Sequence, residues 1–160
     1  ALQAETGRRD LALQTLLAGA AIDAGRFAVA AARLQAESGD NDGALITLER
    51  VPNAQRNADY EALVGGIAQR AGQQALAAEA FARAVRSPRA PAIWWAGLGY
   101  SLDSLGQRSQ AQVAFTRAVT DPALPPALRS YITQRLAEIA ARPGAAAPAR
   151  DGAPIAALPQ

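Results

Sequence analysis

Acidic side chains close together in sequence, Glu37 with Asp40 and Asp40 with Asp42, are the first candidates for chemistry, since paired carboxylates can act as acid and base or bind a hard cation. They fall in a turn between helical patterns and lack the glycine and closing glutamate of a calcium loop, so they read as solvated turn residues. The six serines have neither a histidine nor a lysine to activate them. Gly97-Leu98-Gly99 resembles the start of a phosphate loop, but Leu102 stands where a third glycine is needed and no strand pattern precedes it. Close helix packing explains those glycines, and it also explains Gly65-Gly66. The chain contains no histidine and no cysteine, which removes the commonest general base and the ligands of zinc sites, and rules out thiolate nucleophiles and disulfides. No catalytic residue, metal site or cofactor site is expected.

The elements beneath these residues are helical. Half of the 160 residues are apolar, yet only 5% are aromatic and 42 are alanine, a composition that suits helices approaching closely through small side chains. One domain fits this length. All 16 basic residues are arginine and are interspersed with 14 acidic ones, without the clustered charge and aromatic platforms of a nucleic-acid footprint. The longest uncharged runs, Leu11 to Ile22 and Ala90 to Leu102, are shorter than the roughly 18 residues of a membrane span. The chain opens at Ala1 within a helical pattern, so sequence upstream is expected, and any signal or anchor would lie there.

Sliding the chain against itself by 34 residues superposes Gly65 on Gly99, Gly72 on Gly106, Ala77 on Ala111, Phe81 on Phe115, Arg83 on Arg117, Ala84 on Ala118, Val85 on Val119 and Pro88 on Pro122. This is an internal repeat. Trp95, Leu98, Gly99 and Leu102 share one face of a first helix, and Ala111, Phe115 and Ala118 share one face of a second. Gly106 ends the first helix, and Pro122, with no amide hydrogen, stops the second.

The order Trp95, Leu98-Gly99, Ala111, Phe115, Ala118, Pro122 resembles the tetratricopeptide family, with Leu102 in place of the usual tyrosine and the proline one position early. The fold expected is an all-α, tetratricopeptide-type helical-hairpin solenoid. Residues 92–124 form the repeat just described, and residues 58–91 form another, with Glu61 at the aromatic position and Tyr60 just before it. Residues 25–57 align at a shift of 33 through Ala32, Gly39, Ala44, Leu48 and Val51, closing at Pro52. Residues 1–24 read as the back half of a truncated repeat, because Gly7, Ala12 and Leu16 match Gly39, Ala44 and Leu48. Residues 125–142 form a capping helix that begins at Pro125-Pro126 and covers the last repeat with Leu128, Tyr131, Ile132, Leu136 and Ile139, leaving Arg129, Gln134, Arg135 and Glu138 largely on its other side. Residues 143–160, rich in proline and alanine, read as a flexible tail.

In the tetratricopeptide family the first helix of each hairpin lines a concave groove. The resemblance therefore implies a partner-binding surface that includes Arg26, Arg33, Glu37, Asp59, Gln69, Arg70, Ile93, Tyr100 and Asp103, flanked by Val29, Ala62, Gly66, Ala96 and Ser104. Arg33 and Arg70 suit a partner carboxylate, and Tyr100 offers an aromatic with a polar tip. Trp94, about 100° round the helix from Trp95, either packs against the Phe81 helix or lies open as an anchor.

Within that family, the stretch from Ile93 to Leu102 with its tandem tryptophans, the following Leu105-Gly106, and the stretch from Leu128 to Leu136 resemble the MshN family of MSHA biogenesis proteins. That resemblance implies an accessory component of a bacterial type IV pilus or related secretion assembly. It would be periplasmic, held at the inner membrane by a segment outside this chain, with protein partners drawn from the pilus or secretion machinery. Two alternatives stand beside it. One is a general tetratricopeptide adaptor or co-chaperone taking an extended peptide, with a cytoplasmic location open to it, and the other is the regulatory or substrate-binding part of a larger enzyme. If the assignment of faces is right, Phe115→Ala costs about 3–5 kcal/mol in a melt, whereas Tyr100→Ala leaves the melt nearly unchanged and weakens partner binding.

Overall fold

The computed structural model describes residues 2–20 and 23–141, and their side chains apart from those of residues 2–6, 20, 24 and 26. The 143–160 tail lies outside the described residues. Within them the chain is all-α, with no strand. The helices are α1 (Leu2–Ala20), α2 (Ala24–Glu37), α3 (Asn41–Glu49), α4 (Ala58–Arg70), α5 (Gln74–Ala84), α6 (Ala92–Ser104), α7 (Arg108–Val119) and α8 (Pro126–Ala141), with a short 3-10 turn at Asn53–Gln55. Helices α2 and α3, α4 and α5, and α6 and α7 pair as hairpins that stack in order, so the fold is a helical-hairpin solenoid. α1 packs on α2, and α8 closes the stack against α7.

Each hairpin turns on the same device. Gly39, Gly72 and Gly106 adopt φ of 90°, 76° and 74°, left-handed conformations that a side chain would strain. At each turn the residue after the glycine donates its amide back into the helix, Asp40 to Gln35 O, Gln73 to Ala68 O and Gln107 to Leu102 O, at 2.8–2.9 Å. These bonds satisfy carbonyls that the ending helix leaves unpaired. Asp40 then caps α3, its carboxylate accepting from Gly43 N at 3.0 Å, and Asp42 accepts from Gln73 Nε2 at 3.0 Å. The acidic cluster at this turn thus serves helix capping and repeat-to-repeat bonding.

Phenylalanine rings set the spacing between helices. The Phe81 ring lies against Gly65 of its own hairpin, where an added Cβ would come within 2.8 Å of the ring, and against Gly97 of the next, where it would come within 2.6 Å. Phe115 covers Gly99 more closely still, and it is fully buried. Gly19 on α1 meets Phe27 on α2 in the same way. Helix α5 divides two apolar clusters. Its Ala77 and Ala80 belong to the core built by α2, α3 and α4, while Ala78, Phe81, Ala82 and Val85 belong to the core built by α6, α7 and α8.

Two departures from the expected pattern are resolved by pairing. Glu61, standing where the next repeat has Trp95, bonds Arg83 across the hairpin at 2.8 Å, and neighbouring Tyr60 is buried with its hydroxyl donating to Leu48 O at 2.9 Å. Arg129, expected on the outer side of α8, turns inward instead. Its guanidinium donates to the carbonyls of Val119, Asp121 and Leu124, covering the C-terminal end of α7, where the helix dipole favours a cation. Arg56 does the same for α3, donating to Val51 O and Glu49 O at 3.0 Å.

The two adjacent glycines of α4 do not share a role. Gly65 is a packing contact, but a Cβ on Gly66 would meet nothing within 4 Å, so close packing does not explain it. Gly66→Ala therefore raises stability, by up to about 1 kcal/mol, through helix propensity. Gly99→Ala drives a methyl into the Phe115 ring and lowers stability by about 1–3 kcal/mol. Urea denaturation of the two variants distinguishes these opposite signs.

Candidate partner-binding groove

Because helices of the same order in successive hairpins run side by side, α4 and α6 form one wall of the stack, and α8 extends it. Together they enclose an open groove of about 600 Å³. Ala62, Gly66, Gln69 and Arg70 come from α4, Ile93, Trp94, Ala96, Gly97 and Tyr100 from α6, and Leu128, Tyr131 and Ile132 from α8, with Phe81 and Phe115 also reaching its lining. Ile93, Tyr100 and Tyr131 are 49%, 45% and 46% exposed, a degree of exposure for large apolar or aromatic side chains that the stacked core does not require.

The residues expected on this surface divide into several groups. Ile93, Trp94, Tyr100, Gln69 and Arg70 line the groove. Trp94 is half-buried and packs against the core cluster that contains Phe81, while it also faces the groove. Gln69 is engaged internally, its amide donating to Gly97 O at 2.7 Å and to Ser101 Oγ at 2.8 Å, which ties α4 to α6 across the floor. Arg70 is exposed at the rim, with a long 3.3 Å bond to Asn41 Oδ1. Arg33, Glu37 and Asp59 are exposed but lie outside this lining, and the side chain of Arg26 lies outside the described residues.

Asp103 is also engaged internally. Arg135 grips it with two bonds, Nε to Oδ2 at 2.6 Å and a second nitrogen to Oδ1 at 2.9 Å, and reaches Glu138 as well at 2.6 Å. This fork holds α8 against α6 and raises the proton affinity of Arg135, chiefly through the bonds to Asp103 and Glu138. Helical spacing alone puts Arg135 on the outer side of α8, and Asp103 supplies the reason it is not there. α8 itself is the contribution that sequence reasoning missed. Tyr131 belongs by spacing to the covering stripe with Ile132, yet only Ile132 is fully buried, and Tyr131 stands open beside the groove. The signal lies in α8's own spacing, since Leu128 and Tyr131 are one turn apart on the side that faces α6.

The groove is apolar with phenols at its edge, and its ionic groups are few. Burial, followed by the charge of Asp103, pushes the Tyr131 phenol above its ordinary value, so it remains a hydrogen-bond donor throughout the neutral range. Among the described residues no three histidine, cysteine or carboxylate side chains come together to hold a metal ion. No described helix is long and apolar enough to cross a membrane.

No protein-family model matches the chain, and no curated protein matches it. Two crystal structures of MamA do match in three dimensions. One superposes with a TM-score of 0.65 over 87% of this chain and 91% of MamA, and the other with a TM-score of 0.65 over 86% and 84%. The likeness is one of fold. At 15% identity it gives this chain a tetratricopeptide-like helical-repeat architecture.

The phenol next to Asp103 carries a pH consequence. A folded-state pKa raised above the unfolded value of about 10 contributes stability that is complete below that pH and is lost as pH rises through the folded value. Asp103→Asn removes one of the raising causes, so the Tyr131 ring signal, followed by NMR on ring-labelled tyrosine, titrates at lower pH than in the unsubstituted chain.

Proposed function

We propose that this chain is a protein-interaction scaffold that holds an extended segment of a partner in the α4–α6–α8 groove. The observation that carries the reading is the groove floor at Gly66. A glycine within a helix costs roughly 1 kcal/mol against alanine, and here the vacated space opens onto exposed Ile93, Tyr100 and Tyr131 rather than onto a packed neighbour. An apolar trough with phenol donors on its edge suits a peptide, whose side chains take the trough while its carbonyls accept from the rim. Arg70 adds one cation for a partner carboxylate.

The nature of the partner is a finer matter. The general adaptor reading draws on the groove and on the tetratricopeptide-like fold. The narrower reading, a component of a pilus or secretion assembly working in the periplasm, draws on the tandem Trp94-Trp95 stretch and the Leu128 to Leu136 stretch and their resemblance to the MshN family. Crosslinking in native membranes with a photoreactive group at Tyr100 separates the two: pilus components among the products favour the narrower reading, and soluble cytoplasmic proteins alone sink it. Under either reading, Gly66→Leu fills the groove and weakens partner binding by at least roughly tenfold, about 1.4 kcal/mol, without lowering the melting temperature. Unchanged capture by Gly66→Leu removes the groove from the mechanism.

A further inference from the structure

The groove is built partly by the last described helix, and the chain continues beyond it. Leu128, Tyr131 and Ile132 lie in the first half of α8, which ends at Ala141, and nineteen residues come after it. From Ile132 to the end of α8 is about 14 Å at 1.5 Å per residue. Residues 142–152 can span about 34 Å as an extended chain at 3.1 Å per residue, more than enough to return to the groove.

Beyond residue 152 the chain has the chemistry of an occupant. Residues 153–159 read Ala-Pro-Ile-Ala-Ala-Leu-Pro, and Ile155 and Leu158 are the only large apolar residues after Ile139. They are three apart, which places them on one face of an extended helix with three residues per turn, and the flanking Pro154 and Pro159 favour that conformation. Segments of this kind dock in grooves walled by aromatic rings. Charge sets a direction as well. Asp103 is neutralised by Arg135, which leaves Arg70 as the cation on the groove lining. Asp151 precedes Ile155 by four residues, about 12 Å extended, comparable with the distance along α4 from Arg70 to Ala62.

We propose that residues 151–159 of the same chain occupy the groove, Asp151 against Arg70 and Ile155 and Leu158 over the bare floor at Gly66, so that a partner binds by displacing them. The proposal rests on the groove being a peptide seat and adds that the seat is self-occluded. A tethered segment competes at an effective concentration in the millimolar range, so contacts too weak to bind in solution still fill the site.

The absence of cysteine allows a clean test in the full chain. Gly66→Cys paired with Ala156→Cys places one thiol on the groove floor and one between the two docking residues. Val113→Cys paired with Ala156→Cys is the control, since Val113 is 54% exposed on α7 and lies outside the groove. At dilute protein the Gly66 pair forms an intrachain disulfide at least roughly tenfold faster than the control, and adding Ile155→Asp and Leu158→Asp abolishes the difference. Circular dichroism verifies that the helices are intact, and Tyr100→Cys replaces Gly66→Cys if they are not. Equal rates for the two pairs overturn the proposal, as do disulfide-linked dimers without intrachain product, which would assign the groove to a second copy. If the rates are equal while Gly66→Leu still loses the partner, the groove reading stands and only self-occlusion fails.

Discussion

A phenylalanine ring laid on bare helical backbone governs the distances in this molecule. Phe81 is held between Gly65 and Gly97, and Phe115 lies over Gly99, so the glycines are the sockets into which the rings of the second helices fit. With alanine filling most remaining contact positions, there is little side-chain bulk to absorb a misplaced helix, and the interior is close-packed only if those sockets stay empty. Separation, order and tilt of the helices follow from this contact, and so does the existence of a groove wall. First helices that pack against rings on one side leave their other side to solvent.

That open side is chemically uneven. Polar groups that look available along it are largely consumed in holding the wall together, Gln69 by the α6 backbone and Asp103 by Arg135. The remainder is apolar and aromatic surface with phenols and one arginine at its margin. The division follows from burial: a partly buried amide or carboxylate costs free energy unless it is bonded, so the wall recruits its own partners and leaves exposed the groups that tolerate water.

Much of this architecture is legible in the amino-acid sequence. The 34-residue period, the turn glycines at Gly39, Gly72 and Gly106, and the buried face of Trp95, Leu98 and Leu102 all follow from local rules about backbone conformation and helical spacing. The site is legible only in outline. A helical wheel locates Ile93 and Tyr100 on the side away from the core, but it cannot show that Gln69 reaches across to the next hairpin, because that depends on how far apart two helices sit. Nor can it distinguish Gly65 from Gly66, adjacent residues of the same type, one beneath a ring and the other beneath nothing. The share of α8 in the groove is hidden for a related reason. An apolar stripe on a terminal helix signals covering, and Tyr131 belongs to that stripe by type while standing at its open edge.

Helix α5 has no outward life of its own: one flank belongs to the first apolar cluster and the other to the second. Repeat arrays often melt piecemeal, since each unit touches only its neighbours and the ends loosen first. Here the two halves share a single partition. Loss of either half strips one side of that alanine-rich partition and leaves it without large side chains to hold the remainder, so the array behaves as one cooperative body and local fraying is confined to the helices outside it.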